Sequence, residues 1–407
     1  MRCSLALLVI IVFNSACSDY MTSEGRFFSL FSDRRYTEAA QQIKEKSEKD
    51  GKDQVLYKLD RGLSLFEAGN YKDAVDEFLS AERLSEFKDY VSIHEELGSL
   101  ITTDRYKKFK PLDFERIMMN IYLAVGYLML DKPEDALVEC RKINNLIYVL
   151  RTKGLKDYQE IPLAWYLSAL IYESQDKYND AYVDYKNTKR VFPSFIDIGN
   201  DLLRMAGRLN MSYDISDLKK EYPDATPEKG RCPNCGEVVV IYSSGFSPVK
   251  RQDRHEAMLP AFYTRGGDAG YLSVKDSFGN ELGYSNELLN IEALAIRDLN
   301  EKIGIMRAKN ILGLGVKAAV GYGVYKATNN ENLGILTGLL LASASTPDLR
   351  SWSTLPKSMQ VARIHIPAGN HELTLMPRYG DRDYIPGSVK KTVKVEEGES
   401  SFLVFRN

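Results

Sequence analysis

Two kinds of hydrophobic patterning divide the chain. From about residue 55 to Leu218 apolar side chains recur every three or four residues, the period of a helix with one buried face, and "NDLLRMAGRL" still keeps that spacing near its end. The stretch "EYPDATPEKGR" is polar, Pro-containing and unpatterned, which marks a linker. Beyond it the period shortens. "EVVVIYSS" is a β-branched run between Gly236 and Gly245 and predicts a buried strand. "VARIHI", "HELTLMP", "KKTVKV" and "SSFLVFR", separated by turn residues such as Pro367, Gly369 and Gly398, predict four antiparallel strands. Between these lies a helical insert, "NELLNIEALAIRDLNEKIGIMRAKNI", followed by two Gly- and Ala-rich apolar stretches over 312–325 and 333–345. The expected architecture is α+β: an all-α array over 17–221 with capping helices from Ile196, a linker and CxxC turn over 222–235, and a small antiparallel β-sandwich over 236–407 with its helical insertion at about 286–346.

Internal repetition sharpens the helical half. From Val55 the chain shows Gly62, Leu65, Gly69, Tyr71, Ala74, Phe78 and Ala81; from Ile161 it shows Trp165, Ala169, Tyr172, Tyr178, Ala181, Tyr185 and then Pro193. A third copy runs through Ala124, Tyr127, Ala136 and Cys140, and a half copy through Tyr36 and Ala39. Small residues at fixed positions let helices approach, and aromatics fill the groove opposite. This spacing resembles the tetratricopeptide (TPR) repeat, which implies a superhelix with a surface for docking peptides or proteins.

The first residues give an address. Arg2 precedes an apolar run from Leu5 to Phe13, then Ser15, Ala16 and Cys17, too short to span a bilayer. Residues 1–16 therefore read as a signal peptide, and the segment resembles a lipoprotein signal whose Cys17 would be acylated, with Ser18 matching a residue that permits outer-membrane sorting. Asn14 stands where such signals carry Leu, which leaves open a plain cleavage near Ala16 or an uncleaved anchor.

Composition narrows the partners. With 54 basic against 56 acidic side chains the chain has no general attraction for nucleic acid. The only motif with obvious chemistry is "CPNCG": Cys232 and Cys235 would form either a local disulfide or part of a zinc site, although closed zinc sites need four ligands and no second CxxC exists. Cys140 falls on a packing position. No GxSxG, HExxH or P-loop is present, so no catalytic residue is assigned, and a glycan-acting enzyme would have to rest on carboxylates. The Gly-rich stretches, with Gly334 and Gly338 as a GxxxG pair, predict a helical hairpin that is either buried on the β-domain or serves membrane insertion or oligomerisation.

"DFERIMMNIYLAVGYLMLDKPEDALVECRKINNL", "SGFSPVKR" and "PDLRSWSTLP" resemble an uncharacterised family of TPR-containing bacterial outer-membrane lipoproteins. The resemblance implies a lipid-anchored scaffold facing the periplasm, with a periplasmic or membrane protein as partner and a setting in cell-wall assembly. It implies no catalysis and no cofactor.

Overall fold

The computed structural model describes residues 20–95, 108–152, 160–226, 234–266, 270–343, 346–379, 382–383 and 387–407. A short helix, α1 (Tyr20–Ser23), leads into five helix pairs among the described residues, each closed by the same three-residue turn. The pairs are α2 (Gly25–Ser32) with α3 (Tyr36–Gln42) and its continuation α4 (Lys44–Glu48), α5 (Gln54–Glu67) with α6 (Tyr71–Glu95), α7 (Asp113–Met129) with α8 (Pro133–Thr152), α9 (Pro162–Ser174) with α10 (Tyr178–Val191), and α11 (Ile198–Arg208) with α12 (Ser212–Glu221). In every turn the middle residue is left-handed: Arg34, Gly69, Asp131, Asp176 and Asn210. The next amide then reaches back five residues, as in Asn70 N to Leu65 O at 2.9 Å and Lys177 N to Tyr172 O at 2.9 Å. That is the hydrogen-bond pattern of a Schellman helix end, repeated five times. Small residues follow where the second helix crosses the first. A Cβ on Gly62 would lie 2.7 Å from the Phe78 ring, so only glycine allows that approach. The first pair, expected as a half copy, and the last, expected as capping helices, share the turn and thus the repeat.

The second half is built on β1 (Cys235–Ser244), β2 (Val249–Gln252), β3 (Pro260–Tyr263), β4 (Tyr271–Lys275), β5 (Glu281–Tyr284), β6 (Asn286–Asn290), β7 (Ser358–Pro367), β8 (Gly369–Tyr379), β9 (Arg382–Asp383), β10 (Val389–Val395) and β11 (Ser400–Arg406). One sheet runs β11-β1-β7-β6, the other β10-β8-β4-β5 with β9 beside β8, while β2 and β3 pair separately. Val238, Val240 and Tyr242 of β1 share an apolar core with Leu272, Leu373, Leu375 and Val393 of the facing sheet. The expected all-antiparallel arrangement does not hold: β1 pairs parallel with β11, Glu237 opposite Ser400, and antiparallel with β7. The chain's first and last long strands thus lie side by side, both running the same way.

Two other boundaries move. The helical insert begins at Ile291, not 286, because Asn286–Asn290 pairs with β7 and the Asn290 side chain accepts the Ala293 amide at 2.8 Å, capping the helix there. It comprises α13 (Ile291–Thr328) and α14 (Glu331–Ser343). The expected linker is partly structure as well, since the Tyr222 ring packs on Gly199, 2.6 Å from where a Cβ there would stand. Most consequential is β1, buried along nearly its whole length. Val239 and Ile241 join Met359 and Val361 of β7 in the same core as the helix pairs, so the two expected domains meet across a continuous apolar seam.

Candidate functional site

The first helix of each pair lines one face of the solenoid. Here residues of the chain's own second half fill it. Arg350 reaches Asp53 at 2.6 Å and is held on its other side by Asp348. The Trp352 amide donates to Glu115 Oε1 at 2.6 Å, and its buried ring lies 5.7 Å from Phe78 and 6.0 Å from Tyr122. Thr354 donates to Asp60, whose other oxygen accepts from Tyr20 at 2.7 Å. Arg406 donates to the Thr354 carbonyl at 2.7 Å and stacks over Phe31 and Phe246. The segment 348–354 therefore lies along the first helices, held by Asp53, Glu115 and Asp60.

Further along the same face a buried ionic knot joins solenoid to sheet. Alternation along β7 puts Ala362 and Ile364 toward the sandwich and Arg363 toward the helices. Arg363 donates to Glu237 at 2.5 Å, Asp201 at 2.7 Å, the Tyr185 hydroxyl at 2.9 Å and Glu173 at 3.1 Å. Arg204 grips Glu173 and Asp201 from the other side at 2.6 and 2.7 Å. Burial alone would raise Glu173, but the two guanidiniums overcome it and hold the carboxyl below the usual range; Glu237 is likewise lowered, chiefly by Arg363 against its own burial. Asp60, Glu67 and Glu115 lack such compensation. Burial pushes each up to about 7, against the hydrogen bonds from Thr354 and Tyr20 at Asp60, the Arg406 charge at Glu67, and the Trp352 and Leu112 amides at Glu115.

Cys17 and Cys232 lie outside the described residues. Cys235 is disulfide-bonded. Among the described residues no group of three or more His, Cys, Asp or Glu is placed to hold an ion. Cys140 is buried, and burial pushes its thiol up to about 12. Of the residues expected to pack the repeats, Gly62, Ala74, Phe78, Ala81, Ala124, Ala136, Ala169, Ala181 and Tyr185 are buried, Tyr71, Tyr127, Trp165, Tyr172 and Tyr178 are half-buried, and Pro193 is exposed just past α10. Trp165 donates to Glu160 at 2.9 Å and, with Tyr148, Arg151 and Arg190, lines a cleft of about 760 Å³ between α8 and α10. The large exposed apolar side chains on the solenoid's helices, Val138, Tyr148, Val183 and Tyr213, all sit on second helices, away from the filled face.

The helical insert behaves differently along its length. Its base is buried: Asp298 accepts the Phe114 amide at 3.2 Å, and Lys302 bridges Asp298 and Asp113 at 2.7 and 2.6 Å. Among the described residues the distal hairpin packs on itself along Gly313, Lys317, Gly321 and Gly334 and turns Leu312, Tyr322, Leu336 and Leu339 to the exposed side, which replaces the expectation of a hairpin buried on the β-domain. Among the described residues no helix is long and apolar enough to cross a membrane.

No protein-family model matches the sequence, and neither does any curated protein. Solved structures do resemble its helical half. One crystal structure of MamA gives a TM-score of 0.35 at 13% identity, covering 52% of this chain and 98% of that one, and MamA from Desulfovibrio magneticus RS-1 gives 0.32 at 14% identity over 50% and 95%. YrrB, a TPR protein with an unusual peptide-binding site, gives 0.34 at 12% identity over 52% and 88%. At such scores the repeat architecture rests on the five identical turns rather than on these likenesses.

Proposed function

We propose that this chain is a non-catalytic scaffold of the bacterial envelope, lipid-anchored through Cys17 in the outer membrane, which binds a periplasmic or membrane protein partner through the outer surface of its TPR solenoid. The observation that carries the reading is the filled inner face. A solenoid whose first helices are occupied by residues 348–363 of its own chain is a rigid platform, and what it leaves for a partner is the second-helix side where Tyr148, Val183 and Tyr213 stand exposed. The acidic groups along the seam support the same view, because Glu173, Asp201 and Glu237 are spent on two arginines within the molecule. The anchor fits the fold: only two residues separate Cys17 from Tyr20, whose hydroxyl is fixed to Asp60, so acylation would hold the first repeat within roughly 10 Å of the bilayer. A role in cell-wall assembly follows from the sequence resemblance.

The test is photo-crosslinking in cells with a reactive amino acid at Tyr148, Val183 or Tyr213, followed by identification of captured proteins. One recurrent envelope protein captured from these positions supports the scaffold. Capture of none, together with turnover of peptidoglycan by the purified chain, overturns it. Cys17→Ser should move the protein out of the membrane fraction; retention there removes the lipid anchor from the proposal.

A further inference from the structure

The outer side of the solenoid carries a groove whose three walls are each one stripe of a helix. α8 contributes Asn144, Ile147, Tyr148 and Arg151, the spacing of a single helical face; α9 supplies Trp165 as the floor, and α10 adds Asn187 and Arg190. This is the cleft of about 760 Å³ beside Trp165. A second hollow of about 230 Å³ shares Asn144 and Trp165 with it and runs on between Cys140, Ser168 and Val183. The stripe on α8 thus extends from Leu137 to Arg151, about 21 Å of helix.

Groups in the groove are left unspent. Glu160 gives its two oxygens to Arg190, at 3.0 and 2.6 Å, and one of them also to the Trp165 indole at 2.9 Å. Arg151 stands 3.6 Å from Glu160, outside hydrogen-bond distance, and is exposed. The Asn144 carboxamide oxygen has no hydrogen-bond partner among the described residues. Charge also differs from end to end. Arg151 and Arg190 against Glu160 leave one positive charge at the Tyr148 end, while Asp180 and Asp184 against Arg141 leave one negative charge at the Val183 end. A neutral saccharide answers neither charge, and a simple anion answers only one. An extended peptide answers both. At roughly 3.3 Å per residue, about six residues span the groove. A carboxylate pairs with a free guanidinium fork, a backbone amide with a carboxamide, and an apolar side chain covers an indole ring.

We infer that this groove holds an extended segment of the partner protein, about six residues long, with an acidic residue on Arg151, an apolar side chain on Trp165 and a basic residue at Asp180. The inference rests on the outer surface being the docking side and narrows that side to one groove. Tyr148 and Val183 border the groove near its two ends, whereas Tyr213 lies on α12, two helices farther along the chain.

Fluorescence polarisation of labelled hexapeptides with the purified full chain tests it. The probes carry Glu at one end, Leu in the middle and Lys at the other, in both orders, each with a version that has Gln for Glu. One order should bind at micromolar concentration, and its Gln version about tenfold more weakly. Arg151→Glu should weaken the Glu probe by at least as much with Tm unchanged, the side chain being exposed, and a probe with Lys at both ends should recover binding to that variant. In cells, crosslinkers at Tyr148 and at Val183 should capture the same protein. No binding by any probe overturns the inference, as does binding that Arg151→Glu leaves intact. Chitotetraose that quenches Trp165 emission where the peptides do not gives the groove to a glycan instead. Capture from Tyr213 alone also overturns it, while leaving the outer surface as the docking side.

Discussion

At the scale of single residues the seam separates two kinds of buried charge. Arg363 sits among Glu237, Asp201 and Glu173, and Arg204 alone cannot neutralise all three. Removing one member of such a network leaves uncompensated charge in a low-dielectric site. Arg363→Ala should therefore lower stability by about 3–5 kcal/mol, read as a fall in denaturation midpoint, whereas loss of an exposed pair such as Lys390–Glu372 costs at most ~1 kcal/mol. Equal effects from the two substitutions would refute the distinction. Asp60, Glu67 and Glu115 act in the opposite direction with pH. Their folded values are raised to about 7 from ordinary values of 3.8, 4.5 and 4.5, so between pH 4 and 7 the folded chain keeps protons that the unfolded chain has lost. Stability from these groups is full below the ordinary values and declines as pH rises through 7. Glu173 and Glu237, with lowered values, lose their contribution only on acidification below the ordinary carboxylate range, outside this window. Tm should thus fall between pH 5.5 and pH 8, and fall less in Asp60→Asn, which cannot ionise but still bonds Tyr20 and Thr354. A Tm that is flat or rising over that range, with the same slope in the variant, would sink this account.

At the scale of elements, what the sequence carries is what repeats. The turn between paired helices demands one left-handed residue, and glycine, asparagine and aspartate fill four of the five positions at small cost. Arg34 is the exception, exposed and at φ 60°. Arg34→Gly should stabilise the first repeat by up to ~1 kcal/mol. The check is hydrogen exchange of the α2–α3 amides; faster exchange in the variant would mean that the arginine side chain matters more than its backbone. Because Gly62, Ala74, Ala169 and Ala181 sit at fixed distances from these turns, the repeats were legible. The strands were legible only where they are long and buried on a regular face: β1, β7, β8, β10 and β11 announce themselves, whereas β2 to β6 are four or five residues each. "NELLN" reads as a helix start by composition, and only its pairing with β7 makes it a strand. The parallel partnership of β1 and β11 joins residues about 160 positions apart, a relation no local pattern encodes.

At the scale of the molecule, the candidate site was the least legible feature, because each of its parts looks ordinary in sequence. Asp60, Glu115 and Asp201 read as the polar side of amphipathic helices, Arg363 as an outward residue of an alternating strand, and "PDLRSWSTLP" as a loop; together they make the surface that welds the halves. The weld has a thermodynamic consequence. Two domains meeting through a small polar contact would unfold separately. Here Val239, Ile241, Met359, Val361 and Trp352 belong to the same apolar core as the helix pairs, so neither half can open without exposing the other's interior. The chain carries its own probe, with only two tryptophans. Trp165 lines the outer cleft, and Trp352 is buried at the seam. In a Trp165→Phe variant all indole emission reports the seam and should be blue-shifted in the native state. Its red shift on heating should coincide with loss of far-UV helical signal in one transition. A red shift that precedes the loss of helix by several degrees would mean that residues 348–363 leave the groove while the solenoid stays folded. The inner face would then be a site from which the chain's own segment can be displaced, and the partner proposed for the outer helices would have a competitor for that role.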